Sequence, residues 1–236
     1  MANSYAGLAR YYDLIMTSGY YDYDAFTRAL LARIGNRRAL LELGVGTGLV
    51  CEKLLELGPP DLRITGIDHT ESMLAVAHER LGDRVRLLPQ DILEMSVPPT
   101  FDAAFSVGGI WYGVQDQEHS WLGSHLPGEA EDLKGLTNLA HALPPGGTLL
   151  LTLQEQHRSY RRTLPGGLVY AQEVEDKGDG RFVKDYKVLR EGEVMAHQRS
   201  PFRLRTQQEA DRLLEEAGFR FASRSPDKLL LEYTRL

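Results

Sequence analysis

Residues 41–48, Leu41-Glu42-Leu43-Gly44-Val45-Gly46-Thr47-Gly48, contain three glycines in five positions directly after an apolar run. The stretch ends this short apolar run, residues 39–43, and leads into an amphipathic segment, residues 47–57. A short apolar run is typical of a buried strand, and an amphipathic segment of this length is typical of a helix. Glycines between them allow the backbone to turn tightly and a ligand to approach the main chain. The stretch therefore predicts a strand, a ligand-binding turn and a helix.

The same alternation of apolar runs and amphipathic segments continues along the chain. Strands are predicted at 39–43, 63–67, 85–88, 101–107 and 148–153, and helices at 47–57, 70–81 and 129–142. This rhythm predicts an α/β fold with a doubly wound, mostly parallel, Rossmann-like sheet. Ligands of such sheets bind beyond the carboxyl ends of the strands. The chemistry is therefore expected on the loops that follow Leu43, Ile67, Leu88 and Val107.

The segments around this core are predicted to belong to the same single domain. They are an N-terminal helical cap, an antiparallel β insertion after the fifth strand, and a closing helix and hairpin that supply a C-terminal antiparallel strand. The predicted boundaries are 1–36 for the cap, 37–154 for the core, 155–203 for the insertion and 204–236 for the closing elements. Within the cap, two helices are expected to divide near Ser18-Gly19.

Length and composition exclude several classes of protein. A chain of 236 residues with 42% hydrophobic and 25% charged residues fits one large globular domain. A net charge of −6 argues against a general nucleic-acid binder. The only cysteine, Cys51, has no disulfide partner, and no apolar stretch approaches the ~18 residues of a membrane span. We expect a cytoplasmic monomer or homodimer with no membrane or nucleic-acid partner and, because the histidines are scattered, no metal site.

The residues around the glycine turn also discriminate between cofactors. Asp68 ends the second predicted strand, 20 residues after Gly48, where an acidic residue hydrogen-bonds the ribose hydroxyls of a bound nucleotide. A nicotinamide dinucleotide fits less well, because Leu49 occupies the third glycine position of its fingerprint. Glu42, just before the turn, would repel a pyrophosphate but attract a cofactor that carries a positive charge.

These motifs resemble those of class I S-adenosylmethionine-dependent methyltransferases. The matching segments are 42–48 for their motif I, 66–74 for their second motif, 90–92 for the adenine contact, 101–105 for the fourth strand and 143–147 for the turn before the fifth. The resemblance covers about residues 5–153. The opening segment, 5–13, is similar to that of small-molecule methyltransferases, including sugar-amine and glycine N-methyltransferases.

The resemblance implies roles for residues around the methionine and ribose parts of the cofactor. Glu42 and the main chain of Gly44 would face the methionine part. Gly46 and Gly48 would permit close approach, and Asp68 would hold both ribose hydroxyls.

The resemblance also implies the adenine pocket. His69 and Met73 would pack near the adenine, Asp91 would accept a hydrogen bond from its amino group, and Ile92 would cover the ring. The alternatives left open are that Met73 and Ile92 are core residues and that Asp91 caps a turn.

The floor and the cover of the cofactor site follow from the same resemblance. Ser106, Val107 and Gly108 would line the floor under the sulfonium, and Tyr11 and Tyr12 would close over the cofactor. The alternative for Tyr11 and Tyr12 is that they only pack the N-terminal helix.

Candidates for the acceptor side come from the segment after the fourth strand and from the insertion. Residues 109–121 are predicted to form a loop that holds both tryptophans of the chain. Aromatic rings beside a cationic centre stabilise it through a cation–π contact. The predicted catalytic group is Tyr11, Trp111, Tyr112, His119 and Tyr170. The alternative is that the aromatic residues anchor the loop to the core and that His119 lies in solvent.

The predicted function is transfer of a methyl group from S-adenosylmethionine to a small-molecule acceptor, an amine, hydroxyl or carboxyl. The protein would act mainly by aligning the acceptor behind the methyl group for in-line displacement. Three alternatives stay open. They are a non-methylating use of S-adenosylmethionine such as cyclisation or lyase chemistry, a dinucleotide-binding oxidoreductase, and a non-catalytic binding protein.

Overall fold

The computed structural model describes residues 8–97, 100–116 and 119–236. Tyr5, the first residue of the resemblance, lies outside them. The strands are β1 Ala39–Leu43, β2 Arg63–Asp68, β3 Val85–Pro89, β4 Ala103–Ser106, β5 Trp111–Gln115, β6 Ser120–Ser124, β7 Thr148–Glu155, β8 Tyr160–Leu164, β9 Leu168–Gly178, β10 Arg181–Arg190, β11 Glu193–Thr206, β12 Phe219–Arg224 and β13 Leu230–Arg235. The α-helices are α1 Ala9–Ile15, α2 Tyr23–Ile34, α3 Leu49–Leu57, α4 Glu71–Leu81, α5 Glu129–Ala142 and α6 Gln207–Glu216.

Seven strands form the core sheet in the order β3-β2-β1-β4-β7-β13-β12. The first five are parallel to their neighbours, and β13 runs antiparallel to β7. This arrangement confirms the predicted α/β fold with a mostly parallel sheet and a C-terminal antiparallel strand.

Both faces of the core sheet are covered, which explains why β1 is apolar along most of its length. Leu40 points into a cluster with helices α2, α3 and α4. Leu41 and Leu43 point into a second cluster with α5 and α6. Alternate residues of a strand face opposite sides. A strand buried on both sides therefore needs a continuous apolar run, and this is the pattern from which the sheet was predicted.

Helix α3 begins at Leu49 rather than at the predicted Thr47, because the glycine turn extends two residues further. Gly48 precedes the helix with φ of +82°, a left-handed conformation that favours glycine. A Cβ at Gly48 would lie 2.6 Å from Cδ1 of Leu81 on α4. Gly48 therefore serves the turn and the close packing of two helices.

The six remaining strands form a second sheet, which we call the outer sheet, in the order β5-β6-β11-β10-β9-β8. Strands β8 to β11 pair in antiparallel fashion, as predicted for the insertion. The predicted loop at 109–121 is wrong, because its ends form the antiparallel hairpin of β5 and β6. Strand β5 pairs in parallel with the end of β7, and this contact joins the two sheets.

The N-terminal segment has the predicted break between two helices. Helix α1 continues into a turn of π-helix, Met16–Tyr20, in which Gly19 adopts φ of +86°. Helix α2 then begins at Tyr23, with the side chain of Asp22 accepting a hydrogen bond from the backbone amide of Ala25. Among the described residues, no helix is both long and apolar enough to cross a membrane.

The outer sheet is joined to α5 by one buried carboxylate, Asp132, which is fully buried. Its Oδ1 accepts hydrogen bonds from Nε1 of Trp111 at 2.8 Å and from the hydroxyl of Ser124. Its Oδ2 accepts from Nη2 of Arg205 at 2.6 Å. These donors belong to β5, β6 and β11, so a single side chain holds three strands against one helix.

We expect Asp132→Ala to lower the free energy of unfolding by about 3–5 kcal/mol, because it leaves the buried guanidinium of Arg205 without its partner. Urea unfolding of wild type and variant measures this difference. Glu129→Ala is the matched control, since Glu129 lies on the same helix and contacts Arg205 but is 58% exposed. We expect the control to change stability by less than about 1 kcal/mol. Equal effects of the two substitutions would contradict the role given to Asp132.

Candidate active site

A cavity of about 460 Å³ lies at the carboxyl edge of the core sheet. Its walls come from the segments that follow β1, β2, β3 and β4, which are the segments predicted to carry the chemistry. Residues 198–201 of β11 and residues 125–126 close it from the outer sheet. Nine of the predicted cofactor residues line this cavity: Tyr12, Gly44, Gly46, Asp68, His69, Met73, Asp91, Ile92 and Val107.

The glycine turn is held open by backbone hydrogen bonds. The amide of Gly44 donates to the carbonyl of Ile67 at 2.9 Å, and φ is +70° at Gly44 and +55° at Gly46. A Cβ at Gly46 would point toward the ring of Tyr12, 4.0 Å away. The missing side chain therefore leaves a space between the turn and Tyr12 that a ligand can occupy.

Asp68 orders two loops of the site. Its Oδ2 accepts from the amide of Gly46 at 2.9 Å, and its Oδ1 accepts from the amide of Thr70 at 2.8 Å. A carboxylate has about four acceptor positions. Asp68 therefore binds both the glycine turn and the start of α4 and retains capacity for hydroxyl donors in the cavity.

The predicted adenine pocket is assembled by the segments after β2 and β3. Met73 and Ile92 are buried and also line the cavity, so their core and cavity interpretations both hold. Asp91 caps a turn, since its Oδ1 accepts from the amide of Leu93 at 2.9 Å, and it lines the cavity as well. Gln90 was not predicted. Its Oε1 is buried without a hydrogen-bond partner in the described part of the chain, and the residue lines the same wall.

Three predicted cofactor residues do not line the cavity. Gly48 faces α4, as described above. Ser106 is buried at the end of β4, and the floor of the cavity is formed by residues 107–110 instead. Glu42 lies behind the glycine turn, where its Oε2 accepts a hydrogen bond from the thiol of Cys51 at 2.8 Å. Side-chain direction accounts for Glu42 and Ser106, and the packing of the Gly48 backbone against α4 accounts for Gly48; motif spacing contains neither.

Glu42 is buried to 3% exposure, and its environment favours the neutral acid. Burial raises its pKa from the usual 4.5 to about 8, the thiol of Cys51 opposes this shift, and the negative charge of Asp68 adds to it. Burial also raises the pKa of Cys51. The pair therefore holds a proton next to the turn at neutral pH.

Helix α1 is fastened to the glycine turn by an ion-pair network that the sequence analysis missed. Asp13 accepts from the hydroxyl of Thr47 at 2.6 Å and pairs with Arg80 of α4. Arg80 donates to the carbonyl of Thr47 at 2.9 Å and pairs with Glu52 at 2.7 Å. This network fixes the position of Tyr12, the residue before Asp13 on α1, which lines the cavity.

The structure does not bring the five predicted catalytic residues to this cavity. Trp111 is fully buried against Asp132, and His119 lies at the exposed tip of the β5–β6 hairpin beside Asp116. Tyr170 packs within an apolar cluster on the outer sheet, as Tyr11 does at its edge.

Tyr112, the fifth predicted catalytic residue, is buried between the imidazoles of His125 and His157. The centroid of each imidazole lies 5.5 Å from the centroid of the Tyr112 ring. The anchoring interpretation of the aromatic residues therefore describes their positions better. The pairing of β5 with β7 and β6 buries Trp111 and Tyr112. The periodicity of the sequence did not reveal that pairing.

A second cavity, of about 740 Å³, lies beside the first. It is lined by the turn between α1 and α2, the end of β7 and residues 155–158. The wall between the cavities contains Tyr21, whose hydroxyl donates to Gln154 Oε1 at 3.0 Å. A Cβ at Gly108, in the first cavity, would lie 2.3 Å from that hydroxyl. Gly108 therefore allows the two cavities to lie this close.

Lys184 of β10 is a further group that the sequence analysis missed. It is 3% exposed, on the inner face of the outer sheet. The signal was available, because Phe182, Lys184, Tyr186 and Val188 follow the alternation of an inward face and lysine is the exception among them. No group of three or more His, Cys, Asp or Glu side chains that could hold a metal ion occurs among the residues described.

The neutral form of Glu42 makes stability depend on pH. In the unfolded chain the carboxyl group of Glu42 loses its proton near pH 4.5, whereas in the folded chain it keeps the proton up to about pH 8. Stability from the buried neutral acid is therefore complete below pH 4.5 and is lost as pH rises to about 8. Glutamine cannot ionise. We therefore expect the free energy of unfolding of Glu42→Gln, relative to that of wild type, to rise by more than about 1 kcal/mol between pH 5 and pH 9.

Urea unfolding at three pH values checks this expectation. Glu56→Gln, an exposed position on α3, is the control for loss of a surface carboxylate. Parallel curves for wild type and Glu42→Gln across the pH range would show that Glu42 is ionised in the folded protein.

A comparison with protein families finds a match over the core of the site. Residues 40–147 match the family described as a methyltransferase domain. The chain is 36% identical over 131 residues to malonyl-[acyl-carrier protein] O-methyltransferase from Bacillus anthracis, covering 52% of this chain and 42% of that protein. An uncharacterized methyltransferase from Geobacillus sp. (strain WCH70) is 34% identical over 98 residues, covering 42% of this chain and 44% of that protein. The chain thus spans less than half the length of these relatives.

Solved structures resemble the whole chain. CalS10 from Micromonospora echinaspora, an amino pentose methyltransferase with bound S-adenosylmethionine, aligns with a TM-score of 0.72 and 20% identity over 95% of this chain and 96% of its own. DesVI from Streptomyces venezuelae aligns with a TM-score of 0.72 and 20% identity, covering 97% of this chain and 98% of its own. At these identities the likeness shows the fold. Residues 40–147 therefore match the methyltransferase domain family, in agreement with the resemblance found in the sequence.

Proposed function

We propose that this chain transfers a methyl group from S-adenosylmethionine to a small-molecule acceptor. The observation that carries the proposal is the cavity in which the glycine turn and Asp68 lie side by side at the carboxyl edge of the sheet. The family match supports the reaction class, and the small-molecule methyltransferases among its relatives and structural neighbours support the class of acceptor.

The residues present fit this cofactor. Gly46 lacks the Cβ that would enter the space beside Tyr12. Asp68 keeps acceptor capacity for a pair of ribose hydroxyls, and Gln90 has a buried Oε1 that needs a donor such as an amino group. Ile67, Ile92 and other apolar side chains line the cavity and suit an adenine ring.

Binding and water exclusion are the main tasks of the protein in this reaction. When bound, S-adenosylmethionine would supply a methyl group activated by the adjacent sulfonium. The walls formed by Val107, Ile110 and Leu126 exclude water from this region. Holding two reactants in line contributes much of the rate enhancement in such a displacement.

Two titratable groups complement the charges of the reactants. Glu42 lies behind the turn in its neutral form, and a cationic group bound nearby favours loss of its proton. His125 lines the cavity from the outer sheet, and burial together with the positive charge of Lys184 lowers its pKa to about 4. A neutral imidazole at this position can accept a hydrogen bond from a hydroxyl acceptor and orient it.

The cofactor is tested by titration calorimetry of S-adenosylmethionine and S-adenosylhomocysteine. We expect Asp68→Ala to weaken both by roughly 1.5–3 kcal/mol, the usual effect of removing hydrogen bonds to a charged group. Asp61→Ala is the control, because Asp61 is a carboxylate 64% exposed that pairs with Arg38 outside the cavity. The control should bind both ligands as wild type does. Failure of wild type to bind either ligand would overturn the proposal.

Incubation with the cofactor and no acceptor separates methyl transfer from the alternative chemistry of cyclisation or lyase cleavage. Methyl transfer needs an acceptor. Without one, we expect S-adenosylmethionine to break down no faster with the enzyme than in an enzyme-free blank. Enzyme-dependent breakdown without an acceptor, abolished in Asp68→Ala, would favour the alternative.

A further inference from the structure

Lys184 is a buried ammonium between two aromatic rings. Its Nζ lies 5.4 Å from the ring centroid of Tyr186 and 5.2 Å from that of Phe202. These contacts stabilise a cation only partly, because burial of an ammonium without a counter-ion is costly. Within the described part of the chain, the ammonium of Lys184 contacts these rings and forms no ion pair with a carboxylate.

The absence of a counter-ion is specific to this lysine within its sheet. Over residues 8–97, 100–116 and 119–236, no carboxylate forms an ion pair with Lys184, whereas Lys177 pairs with Glu175 and Lys187 pairs with Glu173 at 2.9 Å. Lys187 lies on the same strand, on the opposite face, and is 29% exposed. Burial lowers the pKa of Lys184 from the usual 10.5 to about 7.

Lys184 is adjacent to residues that line the two cavities. It is opposite Ser200 in the register of β10 and β11, and Ser200 lines the first cavity together with His125. The second cavity is lined by His157. The rings of His125 and His157 lie 6.4 and 5.5 Å from the ring centroid of Phe202, so both imidazoles and the ammonium of Lys184 surround one aromatic ring. Nε2 of His157 is buried and has no hydrogen-bond partner within the described structure.

We propose that Lys184, His125 and His157 form an anion-binding subsite for the acceptor, and that the acceptor is a planar molecule carrying one anionic oxygen group, a carboxylate or an ionised phenol. The inference rests on the proposed methyl transfer. An anionic oxygen supplies the counter-ion that Lys184 lacks and an acceptor for an N–H of His157. The rings of Phe202 and Tyr186 beside it favour a flat apolar body. A cationic acceptor is disfavoured here by repulsion from Lys184.

Two probes of equal shape test this subsite, 2-naphthoate and its uncharged analogue 2-naphthamide. Their affinities are measured by calorimetry for wild type, Lys184→Met and Lys187→Met, each with and without saturating S-adenosylhomocysteine. Methionine keeps the length and apolar character of the buried side chain, and thermal unfolding verifies that each variant is folded. Lys187→Met removes a lysine from the same strand but from its other face.

We expect wild type and Lys187→Met to prefer the carboxylate over the amide by at least about tenfold, since a charge-assisted hydrogen bond is the difference between the probes. In Lys184→Met the preference should disappear while amide binding changes less than about twofold. Equal binding of the two probes by wild type, a preference that survives in Lys184→Met, or no binding of the carboxylate at millimolar concentration would each overturn the inference.

The design separates this inference from the proposed function. If S-adenosylhomocysteine binds and the carboxylate preference is absent, the proposed methyl transfer stands and the anion subsite is rejected. If S-adenosylhomocysteine does not bind, the proposed function fails, and the measurements without it still decide whether Lys184 selects an anion.

Discussion

The buried contact of Asp132 with Arg205 is the interaction on which the architecture of the site depends. Through Asp132, one turn of α5 holds strands β5, β6 and β11. In the described residues, no other buried ion pair connects these three strands to a helix that covers the core sheet. The first cavity takes one wall from the core sheet and another from residues 198–201 of β11. The separation of these walls is therefore set by a charged pair away from the cavity itself.

A second constraint organises the cofactor side of the cavity. Asp68 joins the glycine turn to the start of α4, and Arg80 of α4 returns to the turn at Thr47 and to α1 at Asp13. These contacts are charge-assisted and come from three separate elements. A turn held in this way keeps its open space without rearrangement, which lowers the entropy cost of binding a ligand there.

The two buried titratable groups of opposite sign have shifted pKa values for the same physical reason. Glu42 and Lys184 are both removed from water, so each is driven toward its neutral form, with a pKa of about 8 for the acid and about 7 for the amine. Under the proposed function, each lies where a reactant of opposite charge would restore its ionised form. Such groups make the free protein less stable than apolar residues would, and this is common at functional sites.

Nine of the residues predicted to bind the cofactor line the first cavity, whereas none of the five predicted catalytic residues does. Asp68, Asp91 and Val107 follow strands whose apolar runs are visible locally, and in a parallel sheet those strand ends meet at one edge. Trp111 and Tyr112 were placed in a loop because their burial depends on β5 pairing with β7, about 40 residues further along the chain. No local pattern contains that pairing.

By itself, therefore, the sequence determined the parallel core sheet, the glycine turn and the acidic residue that orders it, because these depend on spacing within single strand–turn–helix units. Only the tertiary structure decided that Glu42 turns away from the cavity toward Cys51, that Asp132 joins the two sheets and that Lys184 faces inward between the cavities. Side-chain direction and strand register arise from contacts between residues distant in the chain, and a shift of one residue in the register of β10 would turn Lys184 outward.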